Sequence, residues 1–436
     1  MPPAKRTSAP RRRTNARASQ PADEILDALH KVCDSARAAT DADAVAGTPA
    51  RYVAAPSSTE QAAELLGVAA QHDLAVVARG AATKLGWGSP PARVDLVVDT
   101  TSLTGVVDHA AGDLVCVVRA GTPVSELQDA LAGAGQQLAL DTPFPGSTVG
   151  GTVAVSTSGP RRLLYGTLRD LLIGITFVRA DGVVAKSGGT VVKNVAGYDF
   201  GKLLIGSYGT LGLVTEVVVR LHPLPAARRV VTVRTSDASA AFTAAAAVTG
   251  SQLVPSAVEI DQQGTEPGTV SVLLEGIEAG VDSRADAATG LLTAYGEVGV
   301  ETVTTHLPDG FADLPFAEGG TGLKVTSSMT GVADVLATAR GLSDRTPLHV
   351  RGSAAGVLHV GLPAGAQPAD VAAAVQQLRA TAAISGGSVT VLTAPPEVRD
   401  QVDVWGSVPG LDLMRRLKDE MDPGHRLAPG RFVGGI

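Results

Sequence analysis

Cysteine is nearly absent: Cys33 and Cys116 are the only two in 436 residues, and no C-x-x-C occurs. Two thiols are too few for a disulfide framework, a thiolate zinc site or a four-cysteine iron–sulfur cluster. Long apolar runs are missing too, and none reaches the roughly 18 residues of a membrane-spanning helix. No complete G-x-G-x-x-G is found, no glycine cluster opens a helix after the first strand with an acid about 20 positions on, and Walker A is absent. A Rossmann unit and a P-loop are therefore unsupported, and the expected location is the cytoplasm.

Charge adds a further exclusion. Lys5, Arg6, Arg11, Arg12, Arg13 and Arg17 lie in the first 20 residues with no acid among them; the other 30 bases face 43 acids, a net −13 against −7 for the whole chain. So acidic a body argues against a nucleic-acid surface. The basic segment 1–20, rich in Pro, Ser and Ala, reads as a disordered tail, and no apolar stretch follows Arg11 to Arg13 as an export signal requires.

What the chain does have is four loops of glycine and small polar residues, each beside an apolar strand. They are A78-R-G-A-A-T-K-L-G-W-G88, D141-T-P-F-P-G-S-T-V-G-G-T-V-A-V-S-T-S-G159, K193-N-V-A-G-Y-D199 and G206-S-Y-G-T-L-G212. Glycine lets backbone N–H groups approach an anion and permits the φ > 0 turns of an anion nest. Any one of these is an ordinary turn. Together they suggest an extended ligand with a diphosphate at its middle.

The pattern predicts a helix from Pro21 to Ala38, and another opened by Ser57 as N-cap with Glu60 three residues on. Strands are expected at Leu74 to Ala78, Val94 to Asp99, Gly105 to Asp108, Leu114 to Arg119, Ile173 to Arg179 and Leu213 to Leu221, with a helix starting at Pro123 as N1. After His222-Pro223-Leu224-Pro225 the texture changes. From Arg229 a β-α-β-β-α-β order ends in a strand at Val298 to Thr304, and the same order recurs from Gly322 to Leu392. Two ferredoxin-like halves sharing one antiparallel sheet are expected.

Several motifs in sequence carry a resemblance. R79-G-A-A-T, G146-S-T-V-G-G-T-V-A, G206-S-Y-G-T-L-G-L-V-T-E followed by L-H-P-L-P, and L427-A-P-G-R431 resemble the vanillyl-alcohol-oxidase type of FAD-binding fold. S158-G-P-R-R162, L168-R-D170, K193-N-V-A-G-Y-D199 and L413-M-R-R-L-K-D-E-M-D-P423 are most similar to the FAD-binding E subunits of bacterial glycolate oxidase. The resemblance implies an α+β, PCMH-type fold of two subdomains with a ferredoxin-like antiparallel cap: a tail at 1–20, an FAD domain at 21–225, a cap at 226–405 and a return segment at 406–436.

The resemblance also implies the site. Arg79, Gly80, Ala81, Ala82 and Thr83, with Pro145, Gly146, Ser147 and Thr148, would hold phosphates, and Gly150 and Gly151 would give the backbone room beside them. Ser156, Thr157, Ser158 and Gly159 would meet the ribityl chain or ring edge; Gly206, Gly209, Thr210, Gly212 and Val214 would carry the adenosine half. Arg431 would close the site, although Ala428 stands where the family usually has asparagine. Thr83 occupies the place of the histidine that tethers flavin in some relatives, so FAD is expected to be non-covalent. The metal-binding H-x-G-D-G-N-x-H motif of self-contained relatives is missing. His349 and His359, ten apart without an acid between, read as ordinary cap histidines, and no metal is expected.

Oxidation of a 2-hydroxy acid needs a base and cations for the carboxylate. Arg161, Arg162, Tyr165 and Arg351 are candidates, and no base stands out. Three functions compete: an FAD subunit of a glycolate oxidase-type complex, passing electrons to a second flavoprotein and an iron–sulfur subunit peripheral to the inner membrane face; a self-contained FAD-linked D-2-hydroxy-acid dehydrogenase; and a non-catalytic flavin-bearing subunit.

Overall fold

The computed structural model describes residues 22–190, 197–303, 307–308 and 310–436. The basic tail, residues 193–196 of the third loop and Thr304 lie outside them. The first sheet pairs Tyr52–Ala54, Leu96–Asp99 and Val76–Arg79 in parallel, with Arg37–Ala38 antiparallel at one edge. Helices Ala22–Val32 and Thr59–Gln71 bury Ile25, Leu29, Leu65 and Leu66 against it. The expected Pro21 to Ala38 helix stops at Val32, because Arg37 and Ala38 pair with Val53 and Tyr52 instead. The second helix is capped one residue later than expected: Ser58 Oγ accepts from Gln61 N at 3.1 Å, while the N–H of Ser57 donates to Gln61 Oε1.

The second sheet is antiparallel throughout, in the order Val106–Ala110, Val115–Arg119, Leu213–Arg220, Leu172–Val178, Val184–Gly188. Its central strand, Leu213–Arg220, alternates buried and half-buried residues, the period-2 signature of a strand with one face in the core, and Val217 and Val219 pack there with Phe177 and Leu127. The helix expected at Pro123 begins at Val124, with Pro123 as N-cap.

Beyond His222-Pro223, which pairs with Gln136 and Gln137, the chain builds one eight-stranded antiparallel sheet. Its first half runs Ala227–Thr235, Ala238–Thr249, Ala257–Gln263, Thr269–Gly276, Glu278–Leu292, Gly296–Val303, and its second Thr321–Thr326, Val332–Leu342, His349–Ser353, Val357–Leu362, Pro368–Ile384, Ser388–Thr393. The halves meet where Ala257–Gln263 pairs with His349–Ser353. Val258, Ile260, Leu323, Val325, Leu358 and Val360 share one core with the four helices. Alternation then obliges their neighbours Glu259, Asp261, Lys324 and His359 to the opposite face. Helix Arg162–Tyr165 of the first half of the chain packs against that face.

The chain returns through helix Leu411–Met421 and lays Arg426 to Ala428 beside Val76, with N–H to O bonds of 2.7 Å on both sides. Lys418, fully buried, fastens this return: Nζ donates to Thr210 O at 2.8 Å, Leu427 O at 2.9 Å and Asp422 Oδ2 at 2.6 Å, and the same carboxylate accepts from Leu427 N. Removing the cation leaves the buried Asp422 carboxylate without its counter-ion and two carbonyls unpaired. Lys418→Met is expected to lose about 3–5 kcal/mol in urea unfolding, and Lys418→Met with Asp422→Leu to lose less than the single change.

Candidate functional site

Strand Val76–Arg79 ends in a bend at Gly80, and Ala82 sits at φ +59. The backbone N–H groups of Gly80, Ala81, Ala82, Thr83 and Lys84 have no hydrogen-bond acceptor among the described residues. Five successive free amides in a bend make a site for anionic oxygens. Opposite them Thr148 caps helix Val149–Val155, its Oγ1 accepting from Gly151 N at 3.2 Å. A Cβ on Gly80 would stand 2.3 Å from that same Oγ1, so the approach of the two loops depends on glycine.

Four cavities adjoin, each sharing wall residues with another, and together outline a cleft. The first is walled by Gly80 to Thr83, Thr148, Gly151, Tyr208 and Arg431. It shares Val155 and Tyr208 with a second, of about 200 Å³, lined by Ser156, Thr157, Ser158, Gly206, Lys324 and Trp405. The second shares Ser158, Arg162 and His359 with a narrow third, which Gly159, Glu259, Arg351 and Ser353 also line. Thr83 and Trp87 connect the cleft to a fourth of about 660 Å³. Two polar atoms along this cleft are buried without a partner among the described residues, Thr157 Oγ1 and Arg431 Nη1. The Arg431 guanidinium is otherwise held by the carbonyls of Leu85 and Trp87, both at 2.8 Å. Free amides at one end, unpaired polar atoms along the walls and glycine where the loops meet suit an elongated ligand with a diphosphate, as FAD is.

Several predicted positions serve the scaffold instead. Arg79 does not line the cleft: its guanidinium pairs with Asp43 at 3.0 Å and Asp99 at 2.8 Å. Gly150 gives room to Ala120, whose Cβ would lie 2.7 Å from an added Cβ, and not to the cleft. Pro145 and Gly146 form the exposed turn before Ser147, whose Oγ accepts from Lys84 Nζ at 2.7 Å and donates to Phe144 O. Gly209 and Val214 stand outside the cleft walls, Gly212 lies tight against Phe177, and Thr210 donates to Ser207 O and accepts from Lys418.

Of the four cationic and phenolic candidates, two are locked away. Arg161 is buried, bonded to Asp141 Oδ1 at 2.6 Å and Gln137 Oε1 at 2.7 Å, with Glu275 at 3.8 Å. Tyr165 donates to Glu275 Oε2 at 3.2 Å and packs edge-on against His222; burial and that carboxylate push its phenol up to about 12. Arg162 and Arg351 do line the cleft. Arg162 is anchored by Nε to Gly159 O and by Nη2 to Ser158 O, and Arg351 by Nη2 to Phe311 O at 3.0 Å.

Sheet register brings further groups to them. Lys324 lies directly opposite His359, His359 opposite Arg351, and Ser353 opposite Glu259. Burial pushes the Glu259 carboxyl up to about 8, against the pull of Arg162 and Arg351. Burial lowers Lys324 to about 8 and, with Arg162 and Lys324 nearby, His359 to about 3, so this imidazole is neutral. His349 pairs with Asp261 at 2.8 Å, the ordinary cap histidine expected. His359 departs from that expectation, since it faces the cleft. Glu259, Lys324, His359, Lys84 and Tyr208 were not among the predicted residues; the first three carry one signal, a charged or polar residue at alternate positions of an apolar strand.

Residues 50–188 match the family model of the FAD binding domain, and FAD is the cofactor. The chain is 38% identical over 154 residues to glycolate oxidase subunit GlcE of Escherichia coli, covering 35% of this chain and 43% of that one. It is 30% identical over 214 residues to glycolate oxidase subunit GlcD of Bacillus subtilis, covering 49% and 46%. The matched stretch thus spans about half the length of these relatives, and it does not distinguish a D from an E subunit. The structure of p-cresol methylhydroxylase superposes with a TM-score of 0.74 at 14% identity, covering 94% of this chain and 96% of that one, which gives the chain the PCMH-type FAD-binding fold.

Gly80→Ala places a Cβ against Thr148 Oγ1 and is expected to lower FAD occupancy, read as the ratio of 450 to 280 nm absorbance. Gly290→Ala, in open space on a cap helix, is expected to keep the wild-type ratio.

Proposed function

We propose that this chain oxidises a small 2-hydroxy acid, with glycolate to glyoxylate as the simplest case, at a non-covalently held FAD. The observation that carries the reading is the cluster where the second and third cavities adjoin, with Arg162 and neutral His359 lining both, Glu259 and Arg351 the third and Lys324 the second. Bound in the cleft, FAD supplies the acceptor for the hydride from the carbinol carbon. Gly80 to Thr83, Thr148, Gly151, Ser156 to Ser158, Gly206 and Arg431 would hold it. Arg162 and Arg351, both lining the narrow cavity, attract the carboxylate of the acid. Glu259, with a pKa near physiological pH, takes the hydroxyl proton; a base is most effective when its pKa lies near the working pH. His359, too acidic as an imidazolium to act as that base, offers a neutral hydrogen bond.

Two settings for the reaction have support. Similarity to two glycolate oxidase subunits supports a place in a glycolate oxidase-type complex; that the chain is its FAD-binding E subunit, with a second flavoprotein and an iron–sulfur subunit receiving the electrons, rests on the motifs S158-G-P-R-R162 and K193-N-V-A-G-Y-D199. The convergence of cations and base within one chain supports a self-contained FAD-linked dehydrogenase, and speaks against a non-catalytic subunit.

The purified yellow chain is expected to release its flavin into the supernatant on acid precipitation. Mixed anaerobically with glycolate or D-lactate, it is expected to bleach at 450 nm, and Glu259→Gln to slow bleaching by about 10²-fold or more. Glu259 has to lose its proton to act, so bleaching should speed up as pH rises through about 8 and then level off. Lys324 titrates in the same range, so the limb should vanish in Glu259→Gln; its persistence there would assign the titration to Lys324. Failure of every small 2-hydroxy acid to bleach the flavin would sink the proposal.

A further inference from the structure

We infer that Lys84 is the counter-ion of the FAD diphosphate, and that the cofactor is taken up together with a proton that this lysine keeps. Lys84 is only 6% exposed, a depth at which a lysine is rare unless an acid accompanies it. Among the described residues none does. Its Nζ donates to Thr83 Oγ1 at 3.0 Å and to Ser147 Oγ at 2.7 Å, and stands 5.6 Å from the centre of the Phe144 ring. A lysine with a structural task is held differently in this same chain: Lys418 meets a carboxylate and two carbonyls. Two neutral hydroxyls and an aromatic ring leave the charge of Lys84 without an opposite.

The cavity that Lys84 lines supplies the missing partner. Lys84 closes the run of five free amides that begins at Gly80. Arg431, 3% exposed, lines the same cavity and leaves Nη1 unpaired. No acid is among the lining residues; Glu318 and Glu397 line the fourth cavity, which Thr83 and Phe144 wall and Lys84 does not. Two cations with no acid match the two negative charges of a diphosphate diester. The flavin ring and the adenine of FAD are neutral and have no such need.

The same burial makes the binding proton-linked. It lowers Lys84 to about 8, so near that pH the flavin-free chain is a mixture of charged and uncharged lysine. A diphosphate beside the amine favours the cation and raises that value. Affinity is therefore full below the free value and is lost as the pH climbs toward the bound one. The other titratable groups of the cavity stay out of this range: Tyr208 is pushed up to about 12 and Arg431 lowered only to about 10.

ADP-ribose is the probe, since it keeps the adenosine and the diphosphate diester of FAD and has no flavin. Its binding is measured by calorimetry, beside that of FAD, on the full chain stripped of flavin and shown to take FAD back. Affinity for both is expected to hold up to about pH 7.5 and then to fall by as much as about tenfold per pH unit. Two buffers of different ionisation enthalpy should show uptake approaching one proton on that slope. Lys84→Met is expected to bind ADP-ribose at neutral pH about tenfold or more weakly, with neither slope nor proton uptake. Lys84→Arg should restore the affinity without the slope. An affinity flat in pH, a slope that survives in Lys84→Met, or ADP-ribose that fails to bind overturns the inference. A slope seen with FAD and not with ADP-ribose also overturns it, because the lysine then answers the flavin half. The wild-type series needs no variant, so a substitution that fails to fold does not remove the test, and its outcome is independent of which acid the chain oxidises.

Discussion

The site depends on one buried guanidinium. Arg161 sits between Asp141 of the FAD half and Glu275 of the cap sheet, and Glu275 in turn takes Arg228 at 2.9 Å and Tyr165. Asp141 also accepts the N–H of Arg161, and an added Cβ on Gly159 would strike its side chain at 2.4 Å. Backbone and side chain of the segment 159–161 are thereby pinned at the junction of the halves. Breaking such a pair costs about 3–5 kcal/mol, because the abandoned charge stays buried. Everything beside it inherits that position: Ser158 and Arg162 stand at the cap face because Arg161 cannot leave it. The cap contributes the other half of the constraint through its pleat, which sends aliphatic residues to the helices and Glu259, Lys324 and His359 to the cleft.

Much of the fold was legible in the sequence, for physical reasons that also mark the limit. The glycine loops stand out because close backbone approach tolerates few other residues. The order of strands and helices after Pro225 follows from hydrophobic periodicity, a local property. Misreadings arose where the deciding partner is distant in sequence. Arg79 resembles a phosphate ligand until Asp43 and Asp99 are found beside it, and Gly150 resembles a phosphate-loop glycine until Ala120 is found against it. Glu259, Lys324 and His359 lie on three strands, and only the register of the sheet makes them neighbours. Ser57 and Ser58 differ as caps by one residue, which local pattern does not resolve.

The cleft sorts its contents by charge. Free amides and Arg431 favour an anion at one end, and buried cations with a neutralised carboxyl favour a second, smaller anion at the other. The aromatic chamber between the loop and the cap edge favours neither.

The most direct test of this arrangement is the flavin spectrum of the FAD-loaded chain titrated with oxalate, an unreactive mimic of a small hydroxy acid. Oxalate is expected to perturb the 450 nm band saturably in wild type, and Arg162→Met to lose the perturbation while retaining FAD. A band that oxalate leaves unmoved in wild type, or moves equally in Arg162→Met, would contradict the placement of the acid beside Arg162 and Glu259.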